Sequence, residues 1–341
     1  MKSTCIILIW FIFWPHLHAK QEADQTVPEN GQIEFREQVN FMGWPNCLKL
    51  SNQSIEMIIT TDVGPRILYF GFIGGPNMFY VDVADTGKTG GDEWRLYGGH
   101  RFWLSPEIMP RTYAPDNTPV SYCWNGEILT LTQDLEQLTA TVKEISIRLY
   151  SGKNQVDILH RLTNKGSHNT EELALWGISA CAGGSWAIVP QEPCIDPAEF
   201  LLPVRSLAIW GFTRMDDPRY CWGEKYILAR QSVMDLKSET KIGMLNKQKW
   251  AACVLDTMLF IKTFDFDPDL TYPDYGCNNE IYMNGKFLEV ESLGPLTKIK
   301  PKSTIEHIEH WTLYRTEINS RDDEERIQQE LEPVLNLSKN P

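Results

Sequence analysis

Long apolar stretches are nearly missing from this 341-residue sequence. The one candidate, residues 5–14, falls well short of the roughly 20 apolar residues that a membrane-crossing helix needs. It follows Lys2, is broken by Pro15, and leads to Leu17-His-Ala19, a pattern with a small residue at the cleavage position. Residues 1–19 therefore read as a secretory signal peptide, and residues 20–35 as a lead-in to the mature chain. That expectation makes the mature protein secreted or periplasmic, with no membrane span once the signal is removed.

Other absences narrow the function. No pair of cysteines has the CxxC spacing of a metal or redox site, and Ser185 in Gly183-Gly-Ser-Trp186 lacks the GxSxG setting of an activated serine. Removing residues 1–19 leaves seven cysteines (Cys47, Cys123, Cys181, Cys194, Cys221, Cys253 and Cys277), so at least one thiol has no partner within the chain. Basic residues are outnumbered, 32 Lys and Arg against 45 Asp and Glu, and form no stripe. Nucleic acid and anionic membrane surfaces are poor partners for such a chain. Neither an internal repeat nor an interdomain linker is visible, and helical periodicity is scarce before the last twenty or so residues.

What is present is alternation. Residues 54–60, 66–72, 128–132, 138–150, 155–163, 173–179, 257–264 and 305–314 alternate apolar and polar, and turn clusters such as Asp62-Val-Gly-Pro65 and Ser151-Gly-Lys-Asn154 separate them. Asn284-Gly285 predicts a hairpin with a type I′ turn, whose arms bring Glu280 towards Glu289 and Glu291. The reading is all-β: one double-sheet sandwich over residues 36–318 with a concave face. Residues 319–341 form an acidic helical tail, with Ser320 as the expected cap, a stripe of Ile327, Leu331 and Leu335, and Pro333 expected to break it.

Two stretches could carry chemistry. In Phe287-Leu-Glu-Val-Glu-Ser-Leu-Gly-Pro295 the period of two puts Glu289 and Glu291 on one face, about 7 Å apart, with Leu288 and Val290 on the other. In Gly98-Gly-His-Arg-Phe-Trp-Leu-Ser-Pro-Glu107, two glycines precede an imidazole for proton exchange, a guanidinium for oxygen ligands and an indole for stacking. The 12 Trp, 12 Tyr and 14 Phe suit either sugar-ring stacking or core packing. Asp265-Phe-Asp-Pro-Asp269 lacks calcium-loop spacing, and His307 and His310 point to opposite faces of a strand. Asn52-Gln-Ser54 and Asn336-Leu-Ser338 are glycosylation sequons.

Together with Thr61-Asp-Val-Gly-Pro-Arg66, His160-Arg-Leu-Thr-Asn164, Leu175-Trp-Gly177, residues 205–210 and Tyr272-Pro-Asp274, these stretches run in an order that resembles an uncharacterised domain family of exported proteins. That family belongs to the galactose mutarotase-like superfamily, and the match spans roughly residues 41–314. It implies a mutarotase-like β-supersandwich with a carbohydrate-binding concave face. A more distant resemblance is to aldose 1-epimerases, whose late strand carries a glutamate in an aromatic-x-Cys-Leu-Glu-Thr-Gln pattern. Residues 287–293 look like it with Glu291 in the catalytic position, where the glutamate takes the anomeric hydroxyl proton while a histidine protonates the ring oxygen.

The resemblance implies Glu291 as base, His100 as the nearest acid and Glu289 as electrostatic partner. It implies sugar contacts from Arg66, Arg101, Trp103, Glu107, Trp176, Arg205, Trp210, Asp274 and Glu280. The epimerase Asn-His-x-Tyr-Phe motif has no counterpart here, since Trp176 occupies that region. Carbohydrate is the expected partner; neither a metal nor another cofactor is expected. Epimerase-like His/Glu chemistry, glycosidic cleavage by paired carboxylates, and glycan binding without turnover all stay open.

Overall fold

A period of two runs through several strands of the back sheet. Along Gln155–Asn164 every second residue is buried, and Val156, Ile158, His160 and Leu162 point inward. The computed structural model describes residues 31–231, 238–318 and 323–338. The signal-peptide segment, most of the lead-in and Ser320 lie outside the described residues. Two antiparallel sheets face each other.

The 11-stranded front sheet runs in the order Glu34–Phe41, Trp44–Ser51, Ile55–Thr60, Arg66–Phe72, His100–Ser105, Glu172–Cys181, Leu288–Leu293, Asn279–Met283, Thr240–Met244 and Leu207–Ile209. Thr297–Lys298 adds to it beside Glu172 and Leu173. The 10-stranded back sheet runs Tyr220–Trp222, Tyr226–Arg230, Trp186–Pro190, Trp250–Leu255, Met258–Phe264, Thr304–Arg315, Gln155–Asn164, Thr141–Leu149, Leu129–Thr132 and Ser121–Trp124.

The core lies between the sheets. Phe70 and Phe79 from the front layer meet Phe260 and Trp311 from the back, with ring centroids 5.3 to 6.0 Å apart. Each such side chain, fully buried, contributes about 1.5–3 kcal/mol. The Glu172–Cys181 and Leu288–Leu293 strands differ from the outer strands in being buried on both faces. Something other than the core therefore covers their outer face.

The hairpin joining Asn279–Met283 to Leu288–Leu293 forms as expected, with Glu280 opposite Glu291. Its turn is not type I′, because neither Asn284 nor Gly285 adopts a positive φ. The Asn284 side chain closes it instead, accepting from the N–H groups of Lys286 and Phe287. At the other end of the chain, Asp323 caps the Glu324–Ser338 helix by accepting from the Arg326 N–H at 3.0 Å. Pro333 sits within this helix and does not end it. Ile327 and Leu331 seal the outer face of the back sheet against Trp186, Tyr226 and Trp250. No helix among the described residues is long and apolar enough to cross a membrane.

Candidate functional site

Register decides which side chains meet. Arg66, Arg101, Ile178, Glu291, Glu280 and Gly243 form one cross-strand row, each directly opposite the next. Directly opposed residues share a face. Two residues further along, Trp103, Trp176 and Leu293 make a parallel row; on the other side lie Glu289, Tyr282 and Lys241. These rows form a floor on the outer face of the front sheet.

The floor holds an unusual density of buried charge. Lys241 Nζ lies 2.7 Å from Glu280 Oε2 and 2.9 Å from Glu291 Oε2. Glu291 Oε2 also accepts from Trp176 Nε1 at 2.9 Å, and Arg101 donates to Glu289 at 2.8 Å. Glu280 and Glu291 are inaccessible, and Lys241, Arg101 and Glu289 nearly so. Burial pushes the Glu280 carboxyl well above the usual carboxylate range, and Glu291 and Asp274 add to this against the pull of Lys241. Glu289 is raised by burial too, opposed by Arg101. Burial works against the charge on Lys241, yet Glu280 and Glu291 hold it above the usual lysine range.

Aromatic rings wall the floor. Trp103 contacts Trp176, Trp94 and Tyr113 with centroids 5.6, 5.5 and 5.1 Å away. Arg101 stacks on Trp103 at 4.4 Å, and Lys241 sits 4.4 Å from Trp176 and 4.8 Å from Trp210. Trp210 reaches the floor because residue 243 is glycine: a Cβ there would come within 3.1 Å of its ring and 2.7 Å of Cys277 Sγ. Asp274 reaches over the edge to accept from Ser105 Oγ at 3.1 Å. Glu107 is exposed at the rim, where its carboxylate accepts from the Tyr113 hydroxyl.

Three sequence-based expectations need correction. His100 lies in the row with Ser179, Val290, Ile281 and Ile242, which faces the core, so the sheet itself separates it from Glu291. Arg66 shares the floor's face but is committed to the carbonyls of Leu96 (3.0 Å) and Gly98 (2.7 Å) and to Asp116 (2.7 Å). It orders the loop behind Trp94. Arg205 is elsewhere: its guanidinium donates to the carbonyls of Glu192 and Glu224 and meets the Cys194 thiol. The Asn52 sequon is also occupied, because the buried Asn52 side chain bonds to Tyr150 O, Lys153 O and the Ser54 and Ile55 N–H groups.

Beneath the floor, between the sheets, is a second polar cluster whose hydrogen bonds fix the tautomers. His160 Nδ1 must donate to the His307 carbonyl (3.1 Å), so its Nε2 accepts from His100 Nε2–H at 2.8 Å. His100 Nδ1 then accepts from Ser179 Oγ at 2.9 Å. His307 Nε2–H donates to Ser292 Oγ (2.7 Å), which donates to Glu309 (2.5 Å). Lys262 pairs with Glu309 at 3.0 Å and donates to the carbonyls of Gly177 and Val290, on the backbone of the floor strands. Gly177 leaves the space for this, since a Cβ there would stand 2.2 Å from Glu309 Oε1.

Burial holds all three imidazoles below the usual histidine range, His307 down to about 3. Against burial, Lys262 foremost holds the Glu309 carboxyl below the usual carboxylate range. His100, His160 and Glu309 bring ligand-type atoms within 4.8 Å of one another, but each is already engaged by the partners just named. His310 points outward to Asp157, as strand alternation requires.

Lys241 and Lys262 went unread in the sequence. The signal was there for the two lysines: each is a lone charge in an otherwise apolar strand, TKIGM and MLFIKTF.

No protein-family model matches the sequence, and comparison with curated proteins finds no match. Solved structures do match. A galactose mutarotase-like protein from Lactobacillus casei ATCC 334 aligns with a TM-score of 0.52 at 12% identity, over 79% of this chain and 100% of the other. A provisionally assigned aldose 1-epimerase from Escherichia coli K12 aligns at 0.50 and 10%, over 78% and 98%. A TPR-domain-containing protein from Parabacteroides distasonis ATCC 8503 aligns at 0.53 and 13%, over 81% of this chain but only 48% of that larger one. At these identities the likeness concerns the backbone alone, and on that ground the chain has the galactose mutarotase-like fold.

Proposed function

We propose that this chain is an exported carbohydrate-binding protein that acts at a sugar ring on the front-sheet floor, in the manner of an aldose 1-epimerase. One observation carries the reading. Arg101 Nε, Trp94 Nε1, Glu291 Oε1 and both Glu280 oxygens are buried without a hydrogen-bond partner among the described residues, all around one aromatic-walled floor, Glu280 Oε2 meeting the Lys241 ammonium as an ion pair. Each such atom costs about 1–3 kcal/mol if nothing pairs with it. A polyol supplies both donors and acceptors for these atoms, and its C–H faces suit Trp103 and Trp176.

By its resemblance to the epimerase glutamate, Glu291 takes the proton of the anomeric hydroxyl, the ring opens, and closure after rotation about C1 gives the other anomer. The exported family suggested by residues 41–314, and the signal in residues 1–19, supply the location. Finding Met1 or Lys2 at the N-terminus of the exported protein would refute that part.

A second reading, glycan binding without turnover, is favoured by one fact: His100 is not on the floor. A panel of mono-, oligo- and polysaccharides, followed by tryptophan fluorescence and product analysis, tests both. Anomer exchange without new reducing ends supports the epimerase-like reading. New ends mean glycosidic cleavage. Binding without any product leaves the module, and no binding at all sinks the carbohydrate assignment.

A further inference from the structure

The floor contains a proton donor that replaces the missing histidine: we propose that Glu280 is a protonated general acid, paired with Glu291 as the base. This rests on the reading of the floor as a sugar-ring site. The argument is one of charge and geometry. Glu280 and Glu291 face each other across adjacent strands, and a single ammonium, Lys241, touches both. With both carboxyls ionised, this buried trio would carry a net negative charge, and an uncompensated buried charge is costly. One bound proton makes it neutral.

Which carboxyl holds that proton follows from the donors. Glu291 Oε2 accepts from both Trp176 Nε1 and Lys241, so that oxygen is fully engaged as an acceptor. Glu280 has only the ion pair to Lys241 and neither of its oxygens accepts a hydrogen bond, whereas Glu291 accepts two. Arg101 neutralises Glu289 separately, and Asp274, which accepts from Ser105 Oγ, adds negative charge that further favours a proton on Glu280. The upward pressure on Glu280 from burial agrees with this assignment.

The chemistry balances without any added reagent. Glu291 removes the proton from O1 of a reducing sugar as Glu280 delivers its proton to the ring oxygen. The C1–O5 bond breaks, the electron pair goes to O5, and C1–O1 becomes a carbonyl. After rotation about C1–C2, the O5 hydroxyl returns its proton to Glu280, O5 attacks the other face of C1, and Glu291 returns its proton to O1. O1 and O5 are bonded to the same carbon, so the reaction needs an acid and a base side by side. Two carboxyls touching one ammonium are side by side.

Glu280→Gln is an isostere of the neutral acid, and Glu291→Gln removes a charge. If the assignment holds, Glu280→Gln melts at or above the parent near neutral pH, since Gln is spared the ionisation that the unfolded chain offers Glu280, whereas Glu291→Gln melts lower. In anomer-exchange NMR with neutral reducing hexoses, Glu280→Gln loses about 10²–10⁴-fold in rate. Glu280→Asp retains part of the rate, with an alkaline limb in its pH profile. A parent that exchanges sugars while Glu280→Gln exchanges them equally fast overturns the donor assignment alone. So does a Glu280→Gln protein destabilised as much as Glu291→Gln. A parent that exchanges none of the sugars it binds overturns the catalytic reading beneath the proposal.

Discussion

Glu280 and Glu291 stand opposite each other on neighbouring antiparallel strands and share one buried ammonium, Lys241, at 2.7 and 2.9 Å. This relationship concentrates two carboxyls and a cation where a sheet would otherwise carry apolar residues. Removing the ammonium should be expensive. Lys241→Met is expected to destabilise the protein by about 3–5 kcal/mol, the cost of leaving buried charge unpaired. Adding Glu291→Gln should restore part of the loss. Urea denaturation of the two single variants and the double variant measures the coupling; a loss below about 1 kcal/mol for Lys241→Met would mean that the floor is wetter than described.

Much of this was legible in the sequence, and the failures have physical causes. Alternation located the strands because burial on one face leaves a period of two, as in Gln155–Asn164. Isolated glutamates in apolar runs located Glu289 and Glu291, and the Asn284-Gly285 hairpin brought Glu280 opposite Glu291. His100 was misassigned because it adjoins Arg101, and one residue in a strand reverses the face. Arg66 and Arg205 have long side chains whose targets depend on loops, which no period encodes. At the tail, the helix begins at Glu324 and Asp323 caps it, because a short aspartate side chain reaches the first-turn N–H groups.

The inter-sheet cluster depends on Gly177. Gly177→Ala would drive a methyl into Glu309 and is expected to cost about 3 kcal/mol. Gly211 has open space around its missing Cβ and an ordinary φ, so Gly211→Ala should change stability by less than about 1 kcal/mol. Thermal melts of the pair give the comparison. Equal effects would mean that the sheets can part at Gly177 without penalty.

The three buried imidazoles should not titrate where histidines normally do. Their native pKa values lie below the unfolded value of about 6.5. The stability they contribute is full above that value and is lost as the pH falls through it, since the unfolded chain takes up protons the native state refuses. Glu280 and Glu289, raised in the native state, act with the opposite sign: their contribution is lost as the pH rises. Ring resonances of His100, His160 and His307 should stay fixed from pH 8 to about 5.5. Glu280→Gln should make the acid-side fall in stability steeper, by up to about 1.4 kcal/mol per pH unit. A ring that titrates near 6.5 would contradict the tautomer assignment.

Tyr275 sits next to Asp274 at the rim, almost wholly exposed and at a φ of 65° that favours glycine. Tyr275→Gly removes the steric cost of that backbone conformation and no packing, so it should raise stability by about 0.5 kcal/mol after the entropy of glycine is counted. If the ring is kept there to meet a ligand, sugar affinity should fall in the same variant. A variant that is less stable, with unchanged affinity, would show that Tyr275 serves the fold instead.

The most direct test of the account is a crystal structure with the tightest-binding neutral sugar from the panel. The account predicts the ring on the front-sheet floor, its face against Trp103 or Trp176, with a hydroxyl within hydrogen-bond reach of Glu291 Oε1 and the ring oxygen beside Glu280. A sugar seated elsewhere, with the floor unchanged and closed beneath Trp210 and Asp274, would contradict it.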